Sequence, residues 1–435
     1  MSKKPTKATI RSYQVGFGDC FLLTFHYAAA GGKEEERHVL IDCGSTAPPL
    51  AFTKAKKSFS LEPVAKEIAK VCGGRLHAVV ATHRHKDHIS GFATAANGKG
   101  AGDVLRALKP DLVMQPWTED PELPKDGRKP KSLRHASGRF ALGLQGMHQF
   151  SAGLMKELDS LKPALGVKLA EQLAFLGDDN LANPSAVKNL MTMGKKTEYL
   201  HYAKKTGLEK LLPGVKIKVL GPPTLEQNSN IARQRSEDAA EFWHLRGAAA
   251  PKHTSGAKSP FAAQHRVTTK PFPPEVRWII PRIQASRGAQ LMELVRILDD
   301  QMNNTSLILL FQFGDKTLLF PGDAQIENWN HALKDAPDAA ANRKLLAKTN
   351  FYKVGHHGSL NATPKSLWGL FAKKGTGGGS LQTMMSTRAG KHGSVANESE
   401  VPRGKLVTEL KSQSLLFNTE TISGTDVRCH IATVG

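Results

Sequence analysis

One heptapeptide constrains this chain more than any other feature. Thr82-His83-Arg84-His85-Lys86-Asp87-His88 stands at the end of the apolar run Leu76–Thr82, which reads as a short buried strand. Three imidazoles and a carboxylate fall within six positions. On a loop leaving a strand, His83 and His85 point to one side, and Asp87 with His88 reaches an adjacent point. Imidazole and carboxylate are the donors that zinc accepts, and a catalytic site leaves one position open for water. Two later segments share the layout. Phe320-Pro321-Gly322-Asp323 ends one apolar strand, and Val354-Gly355-His356-His357-Gly358-Ser359 ends another. Alone, a Gly-Asp after a strand is usually a turn and a His pair is usually a surface feature. Three such clusters at the C-terminal ends of strands can converge on one point.

The surrounding pattern is mixed α/β. Ile10–Val15 alternates, Cys20–Tyr27 is apolar and aromatic, and His38–Asp42 returns after a polar loop. Leu61, Val64, Ala65, Ile68 and Val71 recur at helical spacing, with Ser60 placed to cap the start and Gly73-Gly74 placed to stop it. Residues 119–275 are rich in Pro, Lys, Gly and Ser, with helical patches at Gly153–Leu161 and Val167–Leu176; order returns near 288 with a helix at Leu291–Leu298. One strand stands out within 119–275, Val215–Leu220. Regular strands resume with Ser306–Phe313 and Lys316–Phe320, joined by the hairpin signal Gly314-Asp315. The organisation expected is one elaborated core: residues 1–118 as its first half, 119–300 as an insertion containing a core strand near 215–220, and 301–435 as its second half.

With these segments in place, the chain resembles the metallo-β-lactamase-fold hydrolases, whose HxHxDH motif is His83/His85/Asp87/His88. Within them it is most similar to the soluble hydrolase domain of bacterial DNA-uptake (competence) channel proteins. Val15-Gly16-Phe17-Gly18-Asp19-Cys20, Leu40-Ile41-Asp42-Cys43-Gly44, Asn304-Thr305-Ser306-Leu307 and the KVGHHGS segment carry that similarity. The resemblance implies an αββα sandwich with a long, mostly helical or loop insertion and two divalent metal ions at one edge, zinc first and manganese as the alternative. It places His83 and His85 on one metal and Asp87 and His88 on the second, with Asp323 bridging. One imidazole of the His356-His357 pair completes the second site. His357 is preferred, with His356 then facing substrate, and the reverse order stays open. Asp19 and Asp42 would orient ligands or loops, or simply cap turns. The strand end Val219-Leu220-Gly221-Pro222-Pro223 offers no histidine where many members supply a further ligand; His148, His201, His244 and His253 of the insertion are the candidate substitutes, with a surface position as the alternative for each.

Charge bears on the substrate. The 435 residues include 60 Lys and Arg against 39 Asp and Glu, a formal charge of +21. Beside a metal motif, that excess points to nucleic acid or another phosphate-bearing partner. Lys353, Arg388 and Lys391 are the candidate phosphate contacts, Asp87 the group that orients the nucleophile, and His356 or His392 the acid for the leaving oxygen. The reading is a metal-dependent phosphodiesterase or nuclease. A hydrolase of a small ester, lactone, thioester or phosphorylcholine group is one alternative, and a nucleic-acid or partner-binding effector with a structural metal is the other. Aromatics are only 6% of the chain and its five Trp are scattered, which argues against a single-strand stacking platform. Four separated Cys without a CxxC pair fit a reducing compartment. No apolar run approaches the ~18 residues a membrane span needs, and none follows MSKKPTK, so the expected location is the cytoplasm.

Overall fold

In the strand Cys20–Ala28, Phe21, Leu23 and Phe25 face one way, and Cys20 and Leu22 face the other, yet all are buried. A strand apolar on both faces must be covered on both, and that requirement generates the layers of this protein. The structure, a computed structural model, describes residues 4–28, 34–121, 183–229, 302–359, 363–391 and 400–435. These all fall in one unit formed by 1–141, 183–233 and 300–435; a second unit, 142–182 and 234–299, lies outside the described residues.

Strands β1 (Pro5–Tyr13), β2 (Cys20–Ala28) and β3 (Glu34–Cys43) form an antiparallel meander. Helices α1 (Leu50–Lys54) and α2 (Glu62–Val71) lead to β4 (Ala78–Val80), which pairs parallel to β3. Helix α3 (Lys86–Ile89) carries the end of the histidine motif. Helix α4 (Ala101–Ala107), β5 (Leu112–Pro116), α5 (Pro184–Thr192) and β6 (Lys196–Leu200) follow, with β5 and β6 again parallel. The second sheet contains β7 (Lys216–Gly221), β8 (Ile308–Phe313), β9 (Lys316–Phe320), β10 (Phe351–Lys353), β11 (Gln382–Met385) and β12 (Leu415–Asn418). The last strand, β13 (Cys429–Val434), returns to the first sheet beside β1. The orders are β13-β1-β2-β3-β4-β5-β6 and β12-β11-β10-β9-β8-β7.

The two sheets bury a shared core that includes Phe21, Phe25, Ile41, Met114, Phe311, Phe320 and Phe351. Leu22, Leu40, Val79 and Val113 face outward onto Val64 and Ile68 of α2 and Leu105 of α4. On the other sheet Leu310, Leu319 and Tyr352 pack under Trp329, Leu367, Trp368 and Leu410. The result is the expected αββα sandwich. Phe320 sits at its centre of gravity for function, three residues before Asp323, with ring centroids 6.1 Å from Phe21, 6.0 Å from Phe311 and 5.4 Å from Phe351. Truncating such a side chain typically costs about 3–5 kcal/mol.

Several sequence expectations shift. Two strands, β6 and β7, come from the stretch in which only one stood out. Helix α2 starts with Leu61 as its cap and no side-chain cap bond, so Ser60 does not cap it; Pro63 presets the first turn instead. Gly73 (φ 56°) and Gly74 (φ 80°) do end it, in the left-handed region. The expected helices at 153–161, 167–176 and 291–298 lie outside the described residues. No helix among the described residues is long and apolar enough to cross a membrane.

Candidate metal centre

Glycine is what lets three loops meet at one edge of the sandwich. The Gly16-Phe17-Gly18-Asp19 turn before β2, the Asp42-Cys43-Gly44 end of β3 and the loop around Asp87 are in backbone contact. Asp19 N–H donates to Asp87 O (2.9 Å), and Gly44 N–H donates to Asp19 O (2.9 Å). A Cβ on Gly44 would lie 2.4 Å from both Asp87 O and His88 N, and one on Gly18 would lie 2.3 Å from Gly44 O. Only residues without a Cβ allow this approach.

On that scaffold the motif residues turn inward. Asp87, His88, Asp323 and His357 are all buried, and each offers a donor atom within 4.8 Å of the others. They come from different elements: Asp87 and His88 from α3 after β4, Asp323 from the loop after β9, and His357 from the turn after β10. His356 (φ 42°) and His357 (φ 52°) both adopt left-handed backbone conformations, which non-glycine residues keep only where surrounding contacts impose them.

Each imidazole in the cluster is aimed by a bond at its far nitrogen. His88 Nδ1 donates to Asp42 Oδ2 (2.8 Å), and His357 Nδ1 donates to the carbonyl of Ser386 (2.9 Å). The Nε2 atoms therefore face the carboxylates: His88 to Asp323 Oδ2 at 3.1 Å, His357 to Asp87 Oδ2 at 2.8 Å. This is how metal-binding histidines are oriented by their outer partners. Asp42 also accepts from Thr82 N–H and Thr82 Oγ1, both at 2.7 Å, which ties the start of the histidine loop to the end of β3. Asp42 thus holds both a loop and a ligand.

The electrostatics suit a cation. Burial opposes the imidazolium of His88, but Asp323, Asp87 and Asp42 outweigh it and raise that group well above its ordinary value. His357 moves the same way, against burial, through Asp19, Asp323 and Asp87. Asp323 is held well below the usual carboxylate range: burial opposes its charge, and His88, Lys353 and His357 overcome that. Without a metal, the buried carboxylates favour protons on His88 and His357. A divalent cation can take the place of those protons, because both Nε2 atoms and both carboxylates already point at one spot. The donor set fits such an ion.

The other expected residues divide. His83 and His85 are buried beside this cluster, with His83 Nε2 3.0 Å from His85 Nδ1 and the rings of His83 and His88 4.1 Å apart. They do not share the four-donor point. His83 is held well below its ordinary value by burial and by the neighbouring imidazoles of His88 and His85, so it stands as a neutral donor. His356 is the partly exposed member of the pair, with Nδ1 2.9 Å from Ser359 Oγ. Asp19 is fully buried and reaches Lys353 Nζ at 2.5 Å. The expectation that Lys353 meets substrate is corrected. Strand β10 is flanked by β9 and β11, so even its terminal lysine is only 2% exposed, and its ammonium is held by Asp19, Asp323 and Gly322 O. Arg388 leans on α1, with Nη2 3.5 Å from Thr53 Oγ1. Lys391 is half-buried near the end of its described segment. His392 lies outside the described residues, as do His148, His244 and His253; His201 is half-buried with Nδ1 on the carbonyl of Tyr202. Sequence reasoning did not single out Thr82 or Ser386. Thr82 had a signal in its place at the head of the motif, whereas Ser386 acts through a backbone carbonyl, which no residue type announces.

Residues 15–157 match the metallo-beta-lactamase superfamily. That stretch contains the Asp19 turn, Asp42 and the whole histidine motif, about a third of the chain. Asp323 and His357 lie beyond it, and the structure is what adds them to the same centre. The superfamily consists largely of metal-dependent hydrolases, and a buried His/Asp cluster that could bind metal is present here. No curated protein matches the sequence.

Proposed function

We propose that this protein is a metal-dependent phosphodiesterase that cleaves nucleic acid. The observation that carries the hydrolase reading is the four-donor centre Asp87/His88/Asp323/His357, with the far nitrogens of both imidazoles already bonded. A divalent cation held there would supply Lewis acidity and make water a usable nucleophile near neutral pH. Asp87, at the mouth of the histidine loop, orients that water. His356 stands on the open side, a quarter exposed, with its Nε2 4.0 Å from Asp323 Oδ2. It can hand a proton to a departing oxygen while Ser359 holds its other nitrogen. The phosphodiester class is supported by the +21 charge and by the similarity of the motifs to competence-type hydrolases. Arg388 and Lys391, on the loop that leaves Ser386, are the candidate phosphate contacts.

The test uses labelled single- and double-stranded DNA and RNA with the purified protein, loaded with zinc or manganese or stripped with EDTA. Cleavage should require metal and should be lost in His357→Ala. A metal-loaded protein that cleaves none of the four, yet turns over p-nitrophenyl carboxylic esters, would move the assignment to small esters.

A further inference from the structure

Lys353 is a full charge buried between the two sheets, and three oxygens surround its ammonium. Nζ lies 2.5 Å from Asp19 Oδ2, 3.2 Å from Asp323 Oδ1 and 3.0 Å from the carbonyl of Gly322. Asp323 Oδ1 and Gly322 O accept hydrogen bonds and Asp19 forms an ion pair, a nest that suits the compact ammonium better than the planar guanidinium. Asp323 Oδ1 has a second donor, the backbone N–H of His356 at 3.1 Å. Its other oxygen, Oδ2, faces the opposite way, toward His88 Nε2 (3.1 Å) and His357 Nε2 (3.7 Å). The two oxygens of this carboxylate therefore do different work.

We infer that Lys353 is a positioning residue that confines Asp323 to binding metal through Oδ2 alone, with Asp19 setting how hard Lys353 pulls on Oδ1. The inference rests on reading the cluster as a metal centre. A cation beside a ligand carboxylate withdraws charge from it and weakens its hold on metal, and it also stops the carboxylate from turning to offer both oxygens. Asp19 divides the attention of the ammonium. Neutralising Asp19 hands Lys353 wholly to Asp323, and removing Lys353 leaves Oδ1 with the His356 N–H alone, a neutral donor that withdraws less charge. The two changes act on the metal in opposite directions, although both disturb the same buried ion pair.

Cobalt(II) affinity, measured by chelator competition, and the visible absorption of the bound cobalt test this without any substrate. Asp19→Asn, nearly isosteric, should weaken binding about tenfold and leave the band shape unchanged, in line with the usual weight of outer partners. The charge-balanced pair Lys353→Met with Asp19→Asn should bind at least as tightly as wild type. Its cobalt band should be weaker, because a second Asp323 oxygen raises the coordination number. Equal weakening by both variants, or an unchanged band in the pair, would overturn the inference and leave Lys353 a packing cation. Wild-type protein that binds no cobalt would overturn the metal reading itself.

Discussion

Replacing Gly44 with alanine should cripple the centre without touching a donor atom. Gly44 does not need a positive φ, so the added methyl brings no backbone strain of its own. The difficulty is space. The new Cβ would stand 2.3 Å from Asp87 C and 2.4 Å from His88 N, whereas ordinary contact begins at 3.4 Å. The deficit is about 1 Å (3.4 − 2.4), and both neighbours are backbone, which cannot swing aside like the end of a side chain. Either β3 or the loop carrying Asp87 and His88 must move by that distance. Overpacking of this kind costs about 1–3 kcal/mol of stability, and a displacement of about 1 Å at a catalytic group can cost on the order of 100-fold in rate. Metal affinity should fall together with turnover, because Asp87 and His88 ride on the displaced segment. Chelator competition and thermal unfolding of Gly44→Ala, beside Gly73→Ala as a control, measure this. Gly73 has nothing within 4 Å of its Cβ position but a φ of 56°, so its substitution strains only the backbone and should spare the metal. A Gly44→Ala protein with wild-type melting and wild-type metal affinity would refute the steric argument.

The two neighbouring histidines should separate cleanly. His357→Ala should lose most bound metal by mass spectrometry, whereas His356→Ala should keep it and lower kcat by about 100-fold or more. Asp42→Asn, which disturbs the tautomer of His88 and its hold on Thr82, should weaken metal binding about 10- to 100-fold in a chelator titration. Far from the centre, burial pushes the His38 imidazole down to about 4, from an unfolded value near 6.5. The unfolded chain then takes up a proton that the native state refuses, so stability is full above about pH 6.5 and falls as pH drops toward 4, by about 3 kcal/mol in all. Urea titrations at several pH values should show that slope, and His38→Leu should reduce it without abolishing it, because burial also pushes the neighbouring His77 imidazole down to about 4.

Much of the centre was legible because its residues sit where apolar runs stop. Strand ends can be read from periodicity, and His83–His88, Asp323 and His356-His357 all follow such ends. What sequence could not reveal was direction. A lysine that closes a three-residue strand reads as a surface group, and only the pairing of β10 with both β9 and β11 shows that Lys353 points into a buried nest of carboxylates. The strand β6 was invisible for the opposite reason. It is an edge strand, Lys196-Thr197-Glu198-Tyr199-Leu200, buried only at its last residue, so it carries almost no apolar pattern. The helix before it had a readable start that went unused. Asn183 accepts a bond from Ala186 N–H, and Pro184 follows at the first helical position.

The four donors are divided evenly between the two sheets, and the partners His88 and Asp323 are 235 residues apart in the chain. A cation at that point would therefore behave as a removable crosslink as well as a reagent, a clasp that ties the two sheets together at one edge. A fragment limited to residues 15–157 would keep Asp87 and His88 and own only one side of the clasp. Loading of the metal should consequently stabilise the fold, because the ion can bind only when distant parts of the chain have found each other.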